Sequence, residues 1–274
     1  MPLWSSANSM ARVNVTGLGT WSESFADLAA FRDGLRHGNW DTDAPLQPQR
    51  IPARERRRAP QLVKMAIDVM DQACTMAKLP PDDIAVVFSS SMGDMQITDY
   101  MCRALAETPK LISPTKFHNS VHNAAPGYWS ITTGTFAPAS AVSAYEHTAP
   151  MAFLEAAIQV TEESTPVLVV TQEVASTVPL NDICPSRLAF SAAFLLTPFE
   201  LNAKATATLE FEVLQEPAAW PALAPSIPAG FDSNFGARLL PLLTTLALAD
   251  RDTELRFPIN SSACLALAIS HRRG

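Results

Sequence analysis

Two stretches of this chain hold residues whose types and spacing suit chemistry. The first is Tyr145-Glu146-His147-Thr148, where a short apolar run, Ala139 to Ala144, meets the helical pattern of Met151 to Thr161. A tight strand-to-helix corner is a common mount for a nucleophile, because the helix N-terminus offers free N–H groups and a partial positive charge. Glu146 and His147 stand at that corner. The second stretch holds His118 and His122, whose spacing sets both rings on one side of a helix and can bind zinc. The glutamate usual between such a pair is absent and no third ligand is evident. A polar packing or subunit-contact helix suits the same residues, so no metal or other cofactor is expected.

Three other features invite chemistry and give less. Cys74, Cys102, Cys184 and Cys264 are widely spaced, form no C-x-x-C pair and have no obvious His or Lys neighbour in sequence. They read as buried free thiols of a reducing, cytoplasmic setting, not as nucleophiles. Gly17-x-Gly19 ends an alternating strand, Arg12 to Gly19, but no G-x-G-x-x-G and no phosphate-cradling helix start follow. The basic run Arg50 to Arg58 (RIPARERRR) suits a solvated helix start or loop. Alternatively, its Arg54, Arg56, Arg57 and Arg58 form a docking patch for an acidic partner.

The chain as a whole bounds the choices. Its 274 residues allow a sizeable core, and 47% hydrophobic with 17% charged residues describe a globular protein. A net charge of −7 argues against a nucleic-acid partner, which would need a basic face. No long uncharged apolar run predicts a membrane span, and the first residues lack a signal-peptide pattern.

The elements that must position the corner read as follows. Phe25 to Gly34 suits a short amphipathic helix ended by Gly34, and a Pro-rich loop follows. Ala59 to Lys78 is a strong helix with Leu62, Met65, Ala66, Val69, Ala73 and Met76 on one face. Asp83 to Ser91 and Thr165 to Thr171 are continuous apolar strands of the kind buried on both faces of a sheet. Met95 to Glu107 and His118 to Ile131 suit helices, and Ala139 to Ala144 a short buried strand. Ala189 to Thr197 and Thr206 to Gln215 are further strands. The Pro- and Ala-rich stretch from Glu216 to Ser233 reads as a loop or linker, and Phe235 to Leu248 as a helix interrupted by Pro241. One or two strands close the chain. Strands alternating with helices up to about residue 200 predict an α/β layered fold with a mostly parallel sheet.

The central stretch, SPTKFHNSVHNAAPGYWSITTGTFAPASAVSAYEHTAPMAFLEAA, resembles the matching region of the β-ketoacyl synthases of the thiolase-like superfamily. The likeness runs through Asn123, Gly127, Ile131, Gly134, Pro138, Ser140 and Thr148, and the opening Val-Thr-Gly-x-Gly strand shares it. Within that family the short length and the phrase FHNSVHNAAPGYWSI look like the small chain length factors of bacterial aryl polyene clusters. The resemblance covers roughly residues 12 to 200. It implies a thiolase-like layered α-β-α fold with a complete first half, residues 1–200, and an abbreviated second half, residues 201–274, completing the same domain.

The resemblance also places Glu146 where the family carries its nucleophilic cysteine. An acyl group on a carboxylate would be a mixed anhydride, which hydrolyses readily, so the acyl chain would not be stored. The family's two imidazoles come from second-half motifs in which none of His37, His118, His122, His147 and His271 lies. What the resemblance implies is therefore a non-catalytic subunit. It would pair with a full-length β-ketoacyl synthase, or with itself, and serve chain elongation on an acyl carrier protein docked by the arginine run. The contact region would be 113–157, with His118, Asn119, His122, Asn123 and Tyr128 at the interface. The alternative is a malonyl-carrier-protein decarboxylase using Glu146 and His147. Against it, an ionised Glu146 about 5 Å from the malonyl carboxylate costs roughly 1–3 kcal/mol at effective dielectrics of 80 to 20. Burial could instead raise its pKa and leave a protonated donor.

Overall fold

The computed structural model describes residues 11–201 and 205–271. Its frame is one eight-stranded sheet, and the strand built from the Val-Thr-Gly-x-Gly segment lies inside it. This strand, β1 (Ala11–Ser22), pairs antiparallel with β5 (Phe190–Pro198) on one side and β6 (Ala207–Leu214) on the other. The Gly-x-Gly has a packing reason. Helix α3 (Gln61–Ala77) crosses so close that a Cβ on Gly17 would lie 2.1 Å from Ala73 O, and one on Gly19 1.9 Å from Val69 O. Glycine lets backbone meet backbone here, as it does where a helix must seat directly on a strand.

Strands β2 (Ala85–Ser89) and β4 (Val167–Glu173) pair in parallel, and β3 (Ala139–Val142) adds in parallel outside β2. With β7 (Thr253–Pro258) and β8 (Cys264–His271) the order is β3-β2-β4-β5-β1-β6-β8-β7. The continuous apolar runs of β2 and β4 are buried on both faces because strand periodicity sends neighbours to opposite sides. Val167 and Val169 join the core beneath α7 (Thr148–Glu163), whereas Leu168 and Val170 join the core beneath α3. Helices α1 (Leu28–His37) and α8 (Leu240–Leu248) complete the α7 side, and α6 (Ala124–Thr133) packs on the α3 side. The result is a three-layer α-β-α fold. The segment after β5 builds no sheet of its own among the described residues; β6, β8 and β7 extend the first one.

Four expectations need correction. The stretch from His118 to Ile131 is not one helix: α5 (Pro114–His118) stops, a turn follows, and α6 begins at Ala124. Pro126 has no N–H and its ring would clash with the carbonyl of His122, so a helix cannot run through both. His118 and His122 therefore do not share a helix face. Strand β3 is not buried but is the sheet's edge, with Ala139 and Ala141 exposed; four small residues do not tell a covered strand from an edge. Helix α1 does not end at Gly34, which lies inside it where a Cβ would collide with the Trp40 ring at 2.4 Å. It ends at Gly38, whose left-handed φ of 74° closes the last turn. Finally the sheet is mixed, because the pairings around β1 and β5 are antiparallel.

Candidate functional site

The corner after β3 forms as a single turn of 3₁₀ helix, Tyr145–His147, feeding α7. Thr148 closes it: its buried hydroxyl accepts from Ala144 N–H at 2.8 Å and donates to the Tyr145 carbonyl at 2.7 Å. Tyr145 adopts φ +51°, a left-handed conformation that disfavours a residue with a Cβ. Two contacts hold it there. The Tyr145 hydroxyl donates to Ile183 O at 2.7 Å, and its ring meets Phe235 edge-on at 5.0 Å.

Glu146 and His147 come together with two residues from beyond β6. Glu146 Oε1 lies 3.8 Å from His147 Nε2, and Oε2 lies 3.9 Å from an Arg238 guanidinium nitrogen. His147 Nδ1–H points at Pro258 O, 3.2 Å away, which orients the ring and leaves Nε2 toward Glu146. Trp220 lies between the His147 ring and Arg238: it stacks on the imidazole at 5.6 Å and takes the Arg238 guanidinium over its face at 4.5 Å. Burial pushes the Arg238 pKa down, opposed by the nearby carboxylates of Glu146 and Asp232, and its buried Nε makes no hydrogen bond. A cavity of about 190 Å³ behind Arg238 is walled by Trp220, Leu223, Phe231 and Pro241. Position 146 is thus a carboxylate set against a guanidinium, an imidazole and an indole, an arrangement that offers charge pairing and packing and puts neither a thiol nor a hydroxyl at that position.

Behind the corner lies a buried carboxyl that sequence reasoning missed. Glu173, at the end of β4, is 1% exposed and accepts hydrogen bonds from Ser91 N–H and, at 3.1 Å, from the Ser90 hydroxyl. Burial, opposed by those two bonds, pushes its pKa up to about 8. The same serines gather the surrounding loops: His122 Nε2–H donates to Ser90 O at 2.7 Å, Ser143 Oγ to Ser91 O at 2.7 Å, and Gly93 N–H to Ser90 Oγ at 2.9 Å. The signal available in the sequence was one acidic residue close behind the apolar run Val167 to Val170.

The other nominated residues scatter. His118 ends α5 and is exposed, Asn119 is buried, His122 is bound to Ser90 O, and Asn123 is exposed before α6. Tyr128 is half-buried against the α3-side core, where Trp129 is wholly enclosed. Apolar side chains are exposed at Leu111, Phe117 and Val121 around α5, at Ile131 in α6 and at Phe136 in the loop that leads from α6 to the edge strand. In the arginine run, which forms the short helix α2 (Ala53–Arg56), Arg56 donates to Gln49 O and Ile51 O and so braces a loop, Arg54 is exposed, and Arg57 and Arg58 are exposed beside a second cavity. The four cysteines are free, and burial pushes the Cys74 thiol up to about 12. Among the described residues no group of three or more His, Cys, Asp or Glu side chains is placed to hold a metal ion. No helix among them is long and apolar enough to cross a membrane.

Comparison with known proteins agrees with this architecture. The model of the β-ketoacyl synthase N-terminal domain matches residues 33–221, so the chain belongs to the β-ketoacyl synthase family. Its fold is the thiolase-like fold of the ketosynthases. One similar structure is the ketosynthase ApeO in complex with its chain length factor ApeC from Xenorhabdus doucetiae, 19% identical with a TM-score of 0.65, covering 94% of this chain and 99% of that one. The ishigamide ketosynthase/chain length factor is 14% identical with a TM-score of 0.73, covering 95% of this chain and 99% of that one. AntDE:AntF, a type II polyketide synthase acyl-carrier protein in complex with its ketosynthase, is 14% identical with a TM-score of 0.71, covering 96% and 100%. At these identities the likeness is one of fold. No curated protein sequence matches the chain.

Proposed function

We propose that this chain is a non-catalytic, ketosynthase-like chain length factor, which pairs with an active β-ketoacyl synthase during type II polyketide or fatty-acid chain elongation on an acyl carrier protein. The observation that carries the reading is the corner itself. At the position of the family's nucleophile stands Glu146, facing Arg238 and His147. A carboxylate so placed cannot store an acyl chain, and the stacked Trp220 fills space beside it with an indole. The edge strand β3 and the exposed Ile131 and Phe136 support the pairing half of the proposal. An unpaired edge and exposed apolar side chains are surfaces that association would cover. The arginine run, with Arg57 and Arg58 free of ion pairs among the described residues, supports carrier docking.

The test is carbon dioxide release from malonyl-loaded acyl carrier protein, first with the purified chain alone and then with a partner synthase. No release alone, and elongation only with the partner, is the expected pattern. Release by the chain alone that vanished in Glu146→Ala would make it a decarboxylase and overturn the proposal.

A further inference from the structure

The hydrogen bonds around Glu173 converge on one loop. Residues 90–94 leave β2 at its C-terminal end and lead into α4 (Met95–Glu107), which Asp94 caps by accepting from Ile97 N–H at 3.1 Å. Ser90 and Ser91 give this loop its hold on the buried carboxyl, through the Ser91 N–H and, at 3.1 Å, the Ser90 hydroxyl. The carbonyls of the same two residues take the His122 ring and the Ser143 hydroxyl, each at 2.7 Å. The turn before α6 and the residue after β3 therefore hang on the loop that Glu173 seats. His122 and Ser143 are exposed, whereas Ser90, Ser91 and Glu173 are buried.

Nothing bonded to Glu173 offsets a charge, since its two donors are a neutral N–H and a neutral hydroxyl. The strands β2 and β5 carry no titratable side chain. From the segment 174–188, Cys184 faces it, and burial and the Glu173 charge push that thiol up. His122 reaches it only through Ser90, Asp94 is taken up by α4, and Arg238, two residues beyond the Gly236 that packs on Glu173 N, is turned to Glu146 and Asp232. An ionised Glu173 is thus left to find water. On the β5 side it lies in a ladder opposite Phe190, which opens only with the sheet. Loop 90–94 belongs to no ladder and can lift by itself.

We propose that Glu173 is a proton-operated latch: neutral, it seats loop 90–94 and the two tethers hanging on it; ionised, it releases them. The seated carboxyl titrates at about 8 and the hydrated one near the ordinary 4.5, so opening is coupled to loss of one proton. The opening constant therefore rises about tenfold per pH unit between those values and is level outside them. The latch is a property of the chain alone and stands whether or not its edge strand is a pairing surface.

Amide hydrogen exchange of the full chain, followed by NMR from pH 5 to pH 7 and normalised to intrinsic rates, tests this. The Ser91 and Gly93 N–H groups, bonded to Glu173 Oε1 and Ser90 Oγ, report the loop, and Val169, in the ladders with β2 and β5, reports the sheet. In the parent chain, protection at Ser91 and Gly93 should lie below that of Val169, fall roughly 50- to 100-fold over this range and respond little to urea. In Glu173→Gln both amides should keep their pH 5 protection throughout. His122, Cys184 and Asp94 are present in both proteins, so their own charge changes cancel. Protection at Ser91 and Gly93 that stayed level in the parent, that fell equally in the variant, or that matched Val169 in size and urea dependence would each overturn the latch. The first and last of these comparisons use the parent chain alone and decide the matter without the variant.

Discussion

Glu173→Gln should stabilise this protein, and the size of the effect follows from its burial. The folded carboxyl, held in a site with no cation bonded to it, has a pKa of about 8, whereas an exposed glutamate titrates near its ordinary 4.5. A folded-state pKa above the unfolded value means that folding takes up a proton between those two pH values. The contribution of this group is fully present below about pH 4.5, falls by about 1.4 kcal/mol for each pH unit above it, and is lost by about pH 8. At pH 7 the penalty is about 3 kcal/mol. Glutamine is nearly isosteric with protonated glutamate. Its Oε1 accepts from Ser91 N–H and its Nε2 donates to Ser90 Oγ, so the network survives without the proton. Urea unfolding of both proteins at pH 5, 6, 7 and 8 measures the difference. Burial also raises the pKa of Glu23, Asp68 and Asp94, and their pH dependence is common to both proteins and cancels. The variant should gain about 3 kcal/mol at pH 7 and little at pH 5. Parallel stability curves, with no gain at high pH, would refute a neutral buried Glu173.

The other predictions concern the corner, the edge and the strand–helix contact. Glu146→Ala should leave elongation by the assembled pair within about twofold, because a partly exposed carboxylate near 4 Å from its cation contributes little; a large loss in a carrier-protein elongation assay would give Glu146 a chemical part. Ile131→Asp and Phe136→Asp sit at exposed positions, so each should change the chain's own stability by less than about 0.5 kcal/mol. Each should weaken association with the synthase about 30-fold by analytical ultracentrifugation if it anchors the interface. Gly19→Ala drives a methyl into the Val69 carbonyl and should cost about 3 kcal/mol in denaturant unfolding; a neutral result would mean α3 can lift off β1.

Much of the frame was legible because it depends on local pattern. The period of α3 marks the face it buries, and the unbroken apolar runs in β2 and β4 need no more than two covered sides to be explained. The string from Asn123 to Thr148 marked the family and identified Glu146 as the residue at the corner. Tertiary structure decided the rest, since each remaining feature depends on groups far apart in the chain. Gly17 and Gly19 looked like a ligand loop until α3 lay across them. Whether β3 was covered depended on what stood beyond it, and β6 and β8 joined the first sheet because β1 presented an open side. Trp220, in a stretch that reads as linker, reached the corner through that extension and met Arg238 and His147 there. The charge state of Glu173 and the unpaired oxygen of Asn119 were beyond any reading of residue types. A side chain's apolar preference is its own, but its burial, its partners and its pKa belong to whatever the fold brings against it.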